Sequence, residues 1–300
     1  MSYTLLQLID QACGEMGLAQ PASVIGSTAN QTVQLLALVQ RLGRDLVREF
    51  EWNRLTKTYV FQTDAGITTT GNTTSGSTTV SSIPAPDLPT IGYVISGTGI
   101  PSYAECTAFP GSNSISLDMP ATATGTGVAL RFLRQDYTLP NGFDRMVSDT
   151  NYDRSLVWKS SGNESSQTWS VLHTGLASTY PPTKFRIYNN RLRLFPAPTT
   201  IRNLSYEYVS NYCVNDSNLN PKALFTLDSD TSVFPDDLML AGLKFYFLRA
   251  KKLDFGAEFA DFRDTLSARK AQDQPQTKQR LTPETWDILS PSIPDGSWSL

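Results

Sequence analysis

Residues 233–272, VFPDDLMLAGLKFYFLRAKKLDFGAEFADFRDTLSARKAQ, carry the pattern that most restricts the fold. Leu238, Ala241, Phe245 and Leu248 recur at spacings of three and four, which puts them in one apolar stripe on a helix. Pro235 suits a first helical position, where its missing N–H costs nothing. Asp236 and Asp237 set negative charge against the positive end of the helix dipole, and Arg249, Lys251 and Lys252 set positive charge at the other end. Asp254 can cap a second helix, whose Phe255, Phe259, Phe262 and Leu266 repeat the spacing. The segment therefore predicts two amphipathic helices, over about 236–252 and about 254–271, with Leu238, Phe245, Phe255, Phe259 and Phe262 as packing residues.

Two stripes in one hairpin need partners, and the N-terminal region supplies them. Leu5, Leu8, Ile9, Ala12 and Met16 make a stripe over about 3–18 that Gly17 ends. Leu35, Leu38, Val39, Leu42, Leu46 and Phe50 make another over about 29–50. Four such helices predict a bundle. Between them the texture is strand: Thr56–Gln62, Val128–Leu133, Lys184–Tyr188, Arg191–Phe195 and Asn203–Val209 are rich in β-branched and aromatic residues. Asn189 and Asn190 tolerate positive φ, so FRIYNNRLRLF predicts a two-residue hairpin. The fold class expected is α+β, a four-helix bundle beside a small antiparallel β-domain.

Residues 66–127 differ in kind. They are crowded with Thr, Ser and Gly, contain no Lys or Arg, and have Asp87, Glu105 and Asp118 as their only acids. Short β-like runs at Thr78–Ile83, Ile91–Ile95 and Ser114–Leu117 alternate with turn signals, which predicts an all-β module inserted between two host strands. The expected division is 1–65 plus 128–272 for the host domain, 66–127 for the inserted sandwich, and 273–300 for an extended tail. Trp286, Ile288, Leu289, Ile293, Trp298 and Leu300 sit on that tail, which is too polar and Pro-rich to bury them itself. Tryptophan is a preferred interface anchor, so the tail is expected to dock on another subunit.

The chemistry-bearing residues give little to build a reaction on. His173 is the single histidine and reads as an ordinary loop position. No Gly-rich phosphate loop and no G-x-S-x-G elbow occurs. Asp228, Asp230, Asp236 and Asp237 cluster in LDSDTSVFPDD, but without the glycine and distal Glu of a calcium loop. Neither a metal nor a cofactor is expected, and the chain reads as a non-enzyme. A net charge of −3 argues against a dedicated nucleic-acid binder. Arg41, Arg44, Arg48, Arg54 and Lys57 are interleaved with Asp45, Glu49 and Glu51, which reads as a mixed, solvated or subunit-facing surface. Cys13, Cys106 and Cys213 read as buried thiols. No apolar run is long enough to span a membrane, and the N-terminus reads as a helix and not as a signal peptide.

In order, the helix pair ending in FEWNRLTK, then YTLPNGFDRMV, RLRLFPAPT, LSYEYVSN and FPDDLMLAGLKFYFLRAKKLDF, the chain resembles the head-to-tail adaptor (tail tubular, head-completion) proteins of tailed phages. Residues 66–127 are similar to small Ig-like β-sandwich modules of phage and bacterial surface proteins. The resemblance implies a virion protein made in the host bacterial cytoplasm. It further implies a ring of about twelve copies under the portal protein, with the C-terminal tail docked along the portal. Tail nozzle, tube or fibre proteins would be further partners, and genomic DNA would pass through the lumen without sequence-specific binding. The alternatives are a receptor- or carbohydrate-binding or hydrolytic tail component, and a nozzle or other neck protein.

Overall fold

The computed structural model describes residues 2–90, 92–173 and 183–273. They form a mixed α+β chain whose described helices are α1 (Leu5–Met16), α2 (Asn30–Glu49), α3 (Ser166–His173), α4 (Asp236–Lys251) and α5 (Gly256–Asp273). The described residues fall into two compact units, 2–57 with 141–146 and 207–273, and 58–140 with 147–206.

In the first unit, Thr4 starts α1 with a capping box: its hydroxyl accepts from the Gln7 N–H at 3.3 Å, and Gln7 Oε1 accepts from the Thr4 N–H at 3.0 Å. The next two N–H groups, of Leu5 and Leu6, donate to the carbonyls of Asp230 and Asp228. Gly17, at φ 66°, ends the helix in the left-handed conformation that glycine adopts without strain. α2 buries Leu35, Val39, Leu42 and Leu46 as the stripe predicts, and Gly43 and Val47 with them. α4 packs against α1, α2 and α5. Gly242 permits this: a Cβ there would lie 2.7 Å from Leu42 Cδ1 and Cδ2 and 3.0 Å from Phe262 Cε2. Pro235 stands one residue ahead of its expected place, as the N-cap of α4, with its carbonyl accepting from Met239. Trp52 is fully buried, donates Nε1–H to the Leu46 carbonyl at 2.7 Å, and meets Phe50 and Phe234 edge-on.

The second unit is built on antiparallel sheets. The Thr-rich strands run in the order Ile67–Thr73, Gly125–Leu133, Val94–Gly97, Ala104–Gly111, Ser114–Leu117, Thr79–Val80. The end of that path returns to its start, because Asn72 and Ser81 exchange both backbone hydrogen bonds at 2.8 and 3.0 Å. The strands expected to face each other as a sandwich are thus joined edge to edge. They surround Val80, Ile83, Ile95, Cys106, Ile115, Leu117, Leu130 and Phe132. Gly71 lets the sheet close tightly, since a Cβ there would lie 2.7 Å from Leu130 Cδ1 and 3.1 Å from Val80 Cγ1.

One expectation is corrected here. With the inserted module cut out, Val128–Leu133 is expected to pair with Thr56–Gln62, but it is the C-terminal part of Gly125–Leu133 and pairs with Ile67–Thr73 and Val94–Gly97. Thr56–Gln62 instead lies beside Asn203–Ser210. Composition misled because the strand's charged and aromatic half follows its Gly-rich half without a turn. The predicted hairpin Lys184–Tyr188/Arg191–Phe195 is present, with Asn189 and Asn190 at φ 47° and 56°, and Asp136–Thr138 extends it. Arg193 ties this sheet to the Thr-rich one: it holds Asp136 at 2.6 and 2.8 Å and Glu105 at 3.2 and 3.3 Å.

Candidate functional site: an assembly surface on the helical hairpin

α4 and α5 meet at Lys252, which takes the left-handed conformation at φ 57° and turns the chain within four residues. Asp254 does not reach the cap itself; it stands one residue outside and accepts from the Gly256 N–H at 3.2 Å. The predicted aromatic residues gather around Phe245. Its ring centroid lies 5.8 Å from Phe255, 5.2 Å from Phe259 and 5.8 Å from Phe262, the last nearly parallel.

The five expected packing residues divide into two groups. Leu238 and Phe245 are buried, and Phe262 is half-buried. Phe255 and Phe259 remain 38 % and 45 % exposed, and Leu253, which the spacing did not single out, is 54 % exposed. No residue of α5 is buried. These three side chains leave an apolar patch at the elbow, rimmed by Lys251, Lys252 and Asp254. The signal for Leu253 was present: an apolar residue squeezed into a charged turn, KKLDF, has nothing local to pack on.

At its far end α5 is held to the rest of its unit by polar contacts. Arg269 binds Asp237 at 2.6 Å and Lys270 binds Glu49 at 2.8 Å. Asp273 accepts from the Asn53 N–H at 2.6 Å and from Arg54 Nε at 2.9 Å. The acidic cluster ahead of α4 is dispersed onto four structural tasks. Asp236 accepts from the Tyr3 N–H and Asp237 takes Arg269. Asp228 accepts from Ser23 Oγ at 2.7 Å and from the Val24 and Ile25 N–H groups. Asp230 is fully buried against Lys222 Nζ at 2.7 and 2.8 Å. Among the described residues no group of three or more His, Cys, Asp or Glu is placed to hold a metal ion.

His173 lies at the end of α3 and not in a loop, with Nδ1 2.9 Å from the Trp169 carbonyl and Nε2 3.7 Å from Glu105. Its ring sits among Tyr103, Trp169 and Phe195. The three cysteines are free and buried, and burial pushes the Cys106 and Cys213 thiols up to about 11. The tail residues Trp286, Ile288, Leu289, Ile293, Trp298 and Leu300 lie outside the described residues.

Residues 111–284, more than half of the chain, match the family described as SU10 adaptor protein. The chain belongs to that family. No individual curated protein matches it. As an SU10 adaptor family member it is a phage adaptor-type structural protein. The match spans the hairpin at Asn189-Asn190, α3, α4 and α5, and so contains the whole elbow patch. α1, α2 and most of the Thr-rich strands precede it. No described helix of this adaptor is long and apolar enough to cross a membrane.

Proposed function

We infer that this adaptor family member acts by assembly, not catalysis, as a virion ring that joins the portal to the tail and continues the DNA channel. The observation that supports the ring is the elbow patch. Leu253 and Phe255 in the turn and Phe259 on α5 are exposed apolar side chains, and α5 has no buried residue. Burying a side chain of that size is worth about 1.5–3 kcal/mol, so leaving three at one turn favours a partner surface. In this reading the helices of the first unit act together as the rigid body of a ring subunit, and the elbow packs on the neighbouring copy. The tail beyond residue 273, with Trp286 and Trp298, anchors the ring to the portal.

Mass measurement on portal-bound protein tests the reading. A ring of about twelve copies is expected, as cyclic closure around a portal requires many equivalent contacts. A lasting monomer or dimer on the portal would sink it. Deleting 274–300 is expected to leave the melting curve unchanged and abolish portal attachment; undiminished attachment removes the anchor.

A further inference from the structure

α2 and α5 each carry an exposed face, and on α2 Arg41 also reaches the Tyr246 ring of α4, 5.6 Å from its centroid. The α2 face holds Val33, Ala37, Arg41, Arg44 and Arg48, all exposed and spaced by three and four. Arg41 keeps 60 % of its side chain in solvent beside Asp45. Arg44 and Arg48 have no ion-pair partner among the described residues. On α5 the open face holds Ala257, Asp261, Asp264, Ala268 and Ala271, also exposed, with half-buried Glu258 beside them. Among the described residues Asp264 pairs with its neighbour Arg263, at 3.3 Å, and both stay mostly in water. The cations further along α5 turn the other way, to Asp237 and Glu49.

The two faces are opposite in charge and cannot meet within one chain. Each lies across its helix from the side that packs on α4: Leu35, Leu42 and Leu46 on α2, and Phe262 on α5. Between copies they can meet. Alanines on the acidic face let a second helix approach, since interaxial distance is set by the side chains at the contact. Both faces also run from apolar to charged along the chain. Val33 and Ala37 precede the arginines, and Ala257 precedes Asp261 and Asp264.

We propose that the arginine ridge of α2 in one copy docks on the acidic face of α5 in the next, helix parallel to helix. This rests on the ring reading above and sharpens it. The two patches differ, so the contact is head-to-tail, the type that repeats around a closed ring instead of stopping at a dimer. The charges would set which surfaces meet, while the elbow supplies the apolar contact.

The test uses two full-length variants, R44E/R48E and D261R/D264R, assembled on the portal and weighed by native mass spectrometry. Each alone is expected to reduce ring assembly about tenfold or more. An equimolar mixture is expected to restore it in alternating rings, where the unchanged faces meet at one contact and the two reversed faces, again opposite in charge, meet at the next. Undiminished rings from either variant, or no recovery in the mixture, overturn the docking while the ring itself stands. Wild-type protein that never forms a ring removes the ring reading and the docking together. A ridge variant that assembles normally but loses binding to a fluorescent DNA duplex would assign the arginines to phosphate, and so also overturn it. Should a charge reversal lower the melting temperature, R44Q/R48Q and D261N/D264N replace it as single variants: each is expected to reduce ring assembly, and undiminished rings from either overturn the docking, while recovery on mixing is read from charge reversals alone, because neutral faces would still meet at every second contact.

Discussion

α4 and α5 are consecutive helices with the same three-and-four spacing of apolar residues, yet they hold opposite positions in the energetics of the unit. α4 buries Leu238, Met239, Ala241, Gly242, Leu243, Phe245 and Phe247 on several sides, because α1, α2 and α5 all reach it. α5 buries none: its aromatic stripe meets α4, and its far end meets Glu49 of α2 and Asn53 and Arg54 beyond it. Periodicity records that a helix has an apolar side. It does not record how many neighbours will cover that side. The comparison separates residues that fold the unit from residues left exposed.

The largest effect should come from cutting into α4. Phe245→Ala is expected to cost about 3–5 kcal/mol in denaturant unfolding, since it removes the ring that Phe255, Phe259 and Phe262 surround. A cost as small as that of an α5 surface residue would erase the distinction.

The entry to α4 should be nearly as sensitive, because it is anchored by a buried ion pair and not by exposed ones. Lys222→Met leaves Asp230 buried with its ammonium partner gone, and is expected to cost about 3–5 kcal/mol at neutral pH. Burial alone would push the Asp230 carboxyl up, but Lys222 and the Thr226 and Leu227 N–H groups hold it below the usual range. A carboxyl lowered in the folded state stabilises it fully above the unfolded value of about 3.9, and that stabilisation is lost as pH falls through the folded value. Wild type should therefore lose melting temperature below about pH 4. Asp230→Asn should be less stable at neutral pH and flatter across that window. An equally steep acid slope in the variant would put the titration elsewhere.

Smaller again is Phe259→Ser at the elbow. Its ring is nearly half in solvent, so stability should fall by only about 1 kcal/mol, while portal-bound ring assembly should drop clearly. A large loss of stability with intact assembly would invert the roles given to the two helices. The smallest effects belong to Arg269→Ala and Lys270→Ala. Their ion pairs with Asp237 and Glu49 are partly exposed, so each should cost about 0–1 kcal/mol and less at high salt.

Much of this organisation was legible in the chain. The bounds of α1, α2, α4 and α5 lie within a few residues of those that the stripes predict, and local signals set most of them: Thr4 with Gln7, Gly17, the paired aspartates that open α4 and the Lys252 turn. The Asn189-Asn190 hairpin was equally local. Strand partners were not, since pairing depends on residues far apart in sequence. Gly125–Leu133 looked like two textures and is one strand. α3 was missed, as SQTWSVLH has only Trp169 and Leu172 to bury and no long stripe. In the candidate site, the aromatic residues were readable and their division into buried and exposed was not.

The sequence by itself determined the four long helices, to within a few residues at each end, and that four stripes needed covering, because capping and periodicity act within one or two turns. Only the tertiary structure decided how much each stripe would be covered. That depends on which elements converge on a helix, and α4 lies where Leu42, Gly242 and Phe262 come together while α5 lies at the margin. The same convergence leaves Leu253, Phe255 and Phe259, the arginines of α2 and the carboxylates of α5 facing outward. Exposure is a property of the packed whole, so the surfaces available for assembly became visible only with it.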